Sequence, residues 1–159
     1  MEKAIICREE EIRDILDSFV GILHSLSRGS EFRRTMARKL SECGRFLAVY
    51  DEHDNKAAGF AAFYDNDTSG RVAYLSMLAV SKAHRSKGVG SYILHEVEDF
   101  TSKSGMNMLR LEVEKDNLNA ISFYKRNDFR LYEERENSYV LEKDLPVADS
   151  IDKKQAKEV

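Results

Sequence analysis

The chain has 159 residues, with Lys and Arg at 25 against Asp and Glu at 28, for a formal net charge of -3. That length fits one domain with a sizeable core, and 42% hydrophobic with 33% charged residues excludes a disordered chain. The charge balance weighs against nucleic acid as a partner by net field, and no apolar run is long enough to cross a bilayer, so no membrane partner is expected.

Cys7 and Cys43 show neither C-x-x-C spacing nor a disulfide framework, and no metal site is expected. They read as reduced thiols of a cytoplasmic protein. The run from Met1 to Cys7 is too short for a secretory signal and is followed at once by Glu9, Glu10 and Glu11.

In chain order, Ile12, Ile15, Leu16, Phe19, Leu23 and Leu26 recur at helical steps, which predicts an amphipathic helix over 9–27. Gly29 breaks it, and Ser30 is placed to cap a second helix running to about residue 41. Arg33, Arg34, Arg38 and Lys39 lie on that helix, as a solvated face or as a contact for an anionic substrate group. Residues 46–50 and 57–64 read as a hairpin around a polar turn, and 71–80 as a nearly continuous apolar central strand. From Gly88 the period becomes helical through Val89, Ile93, Leu94, Val97 and Phe100, with Gly105 placed to end the helix. Residues 108–113 read as a strand, 119–126 as a short helix, and 129–132 with 139–142 as a closing antiparallel pair. The domain is expected to end at 145, with 146–159 as a flexible tail.

The stretch Leu78, Ala79, Val80 through Arg85, Ser86, Lys87, Gly88, Val89, Gly90 and Ser91 carries chemistry. It is an apolar strand, a basic loop, then Gly-x-Gly opening a helix. The first amides of a helix have no internal partners and point outward, and the helix dipole adds positive potential. Glycines leave room for the backbone to approach a ligand, and Arg85 and Lys87 add charge. The expected ligand feature is a phosphate or pyrophosphate. A dinucleotide fingerprint would need a third glycine where Ile93 stands, and the G-x-x-x-x-G-K-[ST] loop is absent.

A second string follows: Leu111-Glu112-Val113, then Asn117, Ala120, Phe123 and Tyr124. Taken together, the two strings resemble the GNAT superfamily of acetyl-CoA-dependent N-acetyltransferases. The first is similar to that family's Arg/Gln-x-x-Gly-x-Gly/Ala loop, through Arg85, Gly88 and Gly90. The second is similar to its Leu-Glu-Val…Asn-x-x-Ala-x-x-Phe-Tyr segment. The chain departs from the family pattern at Lys82, where many members have proline, and at Asp128, where many have glycine. Asp tolerates the turn conformation that glycine favours.

The resemblance implies an α+β, three-layer α/β/α domain over 1–145 with a mixed, mostly antiparallel sheet flanked by helices. It implies acetyl-CoA as the acetyl donor and no metal. Leu78, Ala79 and Val80 would pair with the pantetheine arm, residues 85–91 would hold the pyrophosphate, and Asn117 would add a cofactor contact. Tyr124 would be the general acid; it could also simply pack on Phe123. Glu112 would be the base, with a paired structural carboxylate or a water route as alternatives. His84 is given a packing role rather than a catalytic one, and direct transfer needs no acyl carrier at Cys43. The acceptor is expected to be a primary amine of a small molecule, an amino sugar among the candidates. A protein or peptide N-terminal amine is the substrate alternative, and a non-catalytic acyl-CoA-binding module the rival class. Homodimers are common in the family, but no residue here reads on that point.

Overall fold

The structure is a computed structural model, and it describes residues 1–147. The element order is β1 (Glu2–Ile5), α1 (Glu9–Ser18), α2 (Ser30–Cys43), β2 (Arg45–Tyr50), β3 (Ala57–Tyr64), β4 (Val72–Val80), α3 (Val89–Lys103), β5 (Met108–Glu114), α4 (Leu118–Arg126), β6 (Arg130–Glu134) and β7 (Ser138–Asp144). The seven strands form one mixed sheet, ordered β1-β2-β3-β4-β5-β7-β6. Four of the pairings are antiparallel, and β4 with β5 is parallel. This is the α+β class that the resemblance implies. Among the described residues no helix is long and apolar enough to cross a membrane. The stretch expected to be a tail, 146–159, lies outside the described residues from 148 on.

The described residues form two compact units, 1–64 with 77–97, and 65–76 with 98–147. In the first, Ile12, Leu16, Phe19, Leu26, Ala37 and Leu40 from the helical segments bury against Phe46, Ala48, Phe60, Ala62, Met77 and Ala79 of the strands. Phe60 anchors this layer, stacked on Phe46 at 4.9 Å and met edge-on by Phe19 at 5.0 Å. Strand alternation sends Gly59 to the opposite face, beneath α3. A Cβ there would lie 2.6 Å from the Ala79 carbonyl oxygen and 2.6 Å from Ile93 Cδ1, so only glycine lets strand and helix approach this closely.

In the second unit, Leu109, Leu111 and Val113 of β5 are buried while Glu112 and Glu114 on the alternate face are exposed. The apolar face continues through Leu141 of β7, opposite Leu111. On the polar face Arg110 meets Glu142 at 3.0 Å and lies 4.0 Å over the Tyr132 ring, and Arg130 reaches both Glu142 and Asp144. On the apolar face Lys143 pairs with Glu98 of α3 at 3.0 Å. The chain closes where the Leu145 amide donates to the Asn107 carbonyl at 2.9 Å.

Four features differ from the sequence-based expectation. The helix expected over 9–27 stops at Ser18, and the chain turns through Gly21 into a short 3-10 helix, His24–Arg28. Valine and glycine at 20 and 21 are weak helix formers, yet Phe19 and Leu26 are still buried, so the apolar spacing is satisfied by a turn. The cap of α2 is Gly29, at φ +121°, rather than Ser30, which is the first helical residue. The segment Glu2–Ile5 is an edge strand, antiparallel to β2. Finally, β4 alternates instead of being continuously buried, with Tyr74 and Ser76 exposed between Ala73, Leu75 and Met77.

Candidate active site

The first unit carries the anion loop. β4 ends at Val80 and a 3-10 turn, Lys82–His84, leads into it. Arg85, Ser86, Lys87 and Gly88 are all exposed, and Val89 then buries to 3% and opens α3. Ser86 stands at φ +62° and Gly88 at φ +79°, each preceded by a residue of negative φ. Arg85 itself is extended, at φ -69° and ψ 152°, so the amides best placed for an anion are those at the start of α3. The first helical hydrogen bond runs from the Tyr92 amide to the Gly88 carbonyl at 3.0 Å, so the amides of Val89, Gly90 and Ser91 precede the helical ladder. A Cβ at Gly88 would meet nothing within 4 Å. The glycine is therefore required by its left-handed backbone and not by crowding within the protein.

Just upstream of the loop, His84 is held at both ring nitrogens. Nδ1 lies 2.6 Å from Ser81 Oγ, and Nε2 lies 2.6 Å from Asp51 Oδ2. The His84 hydrogen bond, with the His53 amide bond to Oδ1, holds the Asp51 carboxyl below its usual range. Of Leu78, Ala79 and Val80, Ala79 is buried and its two neighbours half-buried.

The second unit carries the proton-handling candidates. Tyr124 sits on α4 between Phe123, at 5.2 Å, and Phe129, at 5.4 Å, both edge-on. Burial pushes its phenol up to about 12, so it keeps its proton throughout the neutral range. Among the described residues no group hydrogen-bonds its hydroxyl. The carbonyl of Tyr124 accepts from the Phe129 amide at 3.0 Å, and that of Lys125 from the Asp128 amide at 3.1 Å. This is a Schellman ending with Asp128 at φ +70°. Asp128→Gly is expected to raise stability by about 0.5–1 kcal/mol, since glycine carries no left-handed penalty. Denaturant midpoints check this.

Glu112 already has two partners. Arg135 Nη1 donates to Oε2 at 2.8 Å, and Ser138 Oγ donates to Oε1 at 2.6 Å. Tyr74 shares this surroundings: its phenol is raised by burial first and by the Glu112 charge second, with Arg135 opposing. The β4–β5 ladder runs from Val72–Met108 to Leu75–Leu111 and stops there, so Ser76 and Glu112 stand outside it though both strands continue. Asn117 is the N-cap of α4, its Oδ1 accepting the Ala120 amide at 3.2 Å. That cap occupies the oxygen and leaves the side-chain NH2 as the group for a ligand.

Three features lay beyond sequence reasoning. The left-handed Ser86 has no composition signal. The Asp51–His84 pair spans 33 positions between two turns with no motif between them. Arg135 and Ser138 reach Glu112 only through the β5–β7 register, which pairs Glu114 with Ser138.

A strand running into a basic, left-handed loop that opens a helix is an architecture suited to a phosphate-bearing ligand. A profile of the acetyltransferase (GNAT) family matches residues 10–129, well over half of the chain. The chain belongs to that family. It is 28% identical over 91 residues to the uncharacterized N-acetyltransferase YobR of Bacillus subtilis, covering 57% of this chain and 35% of that one. It is 32% identical over 89 residues to streptothricin acetyltransferase A of the same organism, covering 50% of this chain and 51% of that one. The chain thus spans only about a third to a half of the length of these curated relatives. The crystal structure of the PaiA N-acetyltransferase from Thermoplasma acidophilum in complex with coenzyme A shares the fold. Its TM-score is 0.69 at 20% identity, over 91% of this chain and 99% of that one.

Proposed function

We propose that this chain is an N-acetyltransferase that takes acetyl-CoA as donor and acetylates a primary amine of a small molecule, with an amino sugar as the first candidate. One observation carries the reading. The segment 85–91, exposed over 85–88, combines two left-handed residues, two cationic side chains and the start of α3. That donor set fits a pyrophosphate, which takes main-chain N–H groups at a helix start and charge around them.

Acetyl-CoA, when bound, supplies an acetyl thioester open to attack by an amine. Residues 85–91 hold the pyrophosphate mostly through main-chain N–H groups, with Arg85 and Lys87 adding charge. Leu78, Ala79 and Val80 offer strand amides and carbonyls to the pantetheine arm. This is supported by the β4–β5 ladder, which ends at Leu75–Leu111, ahead of them. Asn117 contributes its side-chain NH2. Positioning of the two substrates accounts for much of the rate, about 7–11 kcal/mol when the geometry is good.

Two proton tasks remain. Tyr124 gives the proton that the departing sulfur needs, and its phenol is in the donor form at neutral pH. The amine must lose a proton, and the carboxylate expected for that step, Glu112, has both oxygens engaged. The reading that fits is release through water to bulk, with Glu112 organising the polar face. Glu112→Gln is then expected to leave the shape of the pH–rate profile intact, and loss of its acidic limb would make Glu112 the base. Tyr74 and Ser76, exposed on β4, join the carboxylates of Glu112 and Glu114 on β5, a mix of hydroxyls and negative charge that suits a hydroxyl-bearing ammonium.

Initial velocities with an accepted amine test the direct route. Intersecting lines are expected when both substrates are varied. Parallel lines would indicate a covalent acyl-enzyme and remove the proposal.

A further inference from the structure

The Asp51–His84–Ser81 chain is not used by the chemistry above, and its geometry is specific. Asp51 opens the turn between β2 and β3, and its backbone is bonded across that turn, to Lys56 at 3.1 Å and Asn55 at 3.0 Å. Its Oδ1 accepts the His53 amide at 2.9 Å, so Oδ2 has a fixed direction and is given to His84. A carboxylate only accepts, so Nε2 carries the proton. Nδ1 then meets the Ser81 hydroxyl, which can donate to it or accept from it. His84 retains 13% side-chain exposure and Asp51 24%, so water competes weakly for these bonds.

The backbone at the same point is tied down as well. The Ser81 amide donates to the Ala58 carbonyl of β3 at 2.8 Å, and the His84 amide to the Ser81 carbonyl at 3.0 Å. The next four residues, Arg85, Ser86, Lys87 and Gly88, are exposed, and Val89 is buried. The anion loop is therefore a span of four exposed residues fixed at one end by His84 and at the other by Val89. Within it stands Ser86, a non-glycine residue at φ +62°, a conformation that costs free energy and persists only where its surroundings impose it.

We infer that His84, clamped between Ser81 and Asp51, is a positioning residue that pre-forms the anion loop for its ligand. This rests on the reading that residues 85–91 hold the coenzyme A pyrophosphate. His84 touches no reacting group in this account. It acts through the loop, by lowering the ordering cost that binding would otherwise bear.

The test uses the whole chain and coenzyme A itself. His84→Phe keeps the ring and removes both polar contacts. Asp51→Ala removes both acceptor oxygens, and His84 Nε2 loses its partner in either tautomer. His84→Gln keeps an N–H able to reach Asp51. Calorimetry should show the first two weakening coenzyme A binding about tenfold, with KM for acetyl-CoA rising in parallel and kcat at saturation unchanged within about twofold. His84→Gln should recover most of the affinity.

Folded His84→Phe and Asp51→Ala proteins that bind coenzyme A as the parent does would overturn the clamp. So would a drop in kcat at unchanged KM, and so would failure of both variants to fold, which would make the pair a stability element. A parent chain that does not bind coenzyme A would instead refute the reading of loop 85–91, and the clamp with it.

Discussion

Replacing Tyr124 with phenylalanine is expected to lower kcat by ~10²-fold or more while coenzyme A affinity stays within about twofold. The substitution removes one oxygen and keeps the ring between Phe123 and Phe129, so the aromatic packing survives. What is lost is a phenol whose burial holds its proton far above neutrality, raised to about 12. The hydroxyl makes no bond to the described residues, so its removal leaves no orphaned partner in the fold, and stability should change little. The pH dependence has a definite sign. A raised phenol is fully protonated below its unfolded value of 10, so Tyr124 imposes no alkaline limb on the rate near neutrality. A limb near pH 7–8 in the parent must then belong to another group and should persist in Tyr124→Phe. Unchanged turnover would return Tyr124 to a purely packing role.

The second large effect is expected at Gly88. Its backbone sits at φ +79° with open space where a Cβ would lie, so the cost of a side chain is conformational and not steric crowding. Gly88→Ala should carry about 1–2 kcal/mol of left-handed strain. The loop is exposed and can relieve that strain by leaving the binding geometry. Affinity for coenzyme A is therefore expected to fall about 5–30-fold, with global stability nearly unchanged. Gly88→Asn should be milder, because asparagine visits this region, and Gly88→Val more severe. The order Gly, Asn, Ala, Val in coenzyme affinity is the signature of backbone conformation. An order that followed side-chain volume alone would contradict it.

Much of the fold was legible because the residues that decide it act locally. The sequence predicts a strand over 57–64, where β3 stands, and a helix from 119, one residue after α4 begins, with Asn117 as its cap. Asp128 takes the left-handed turn expected where glycine is usual. The misplacements have separate causes. Apolar spacing cannot tell a continuous helix from a helix, turn and 3-10 segment when Phe19 and Leu26 bury equally well in either. Strand β1 escaped because four residues at an edge, with only Ala4 half-buried, carry no alternation.

At the site, the glycine turn that opens a helix was legible from Gly-x-Gly after an apolar strand, since a helix start and a glycine have fixed physical meaning. The bonds between distant residues were not. The Asp51–His84 bond and the Arg135 and Ser138 bonds to Glu112 arise from distant pairings that no local pattern encodes, and the left-handed Ser86 carries no composition signal. Glu112 shows the consequence. Its type and place on β5 suggest a base, while its two partners describe a carboxylate already in use.

The most direct test of the central claim is release of free thiol from acetyl-CoA, followed while amines, amino sugars and peptides are offered to the chain. Thiol release is expected to depend on the amine, saturate with acetyl-CoA and collapse in Tyr124→Phe. Tight binding of acetyl-CoA with no amine-dependent release across a broad panel would contradict it, and would describe an acyl-CoA-binding module instead of an enzyme.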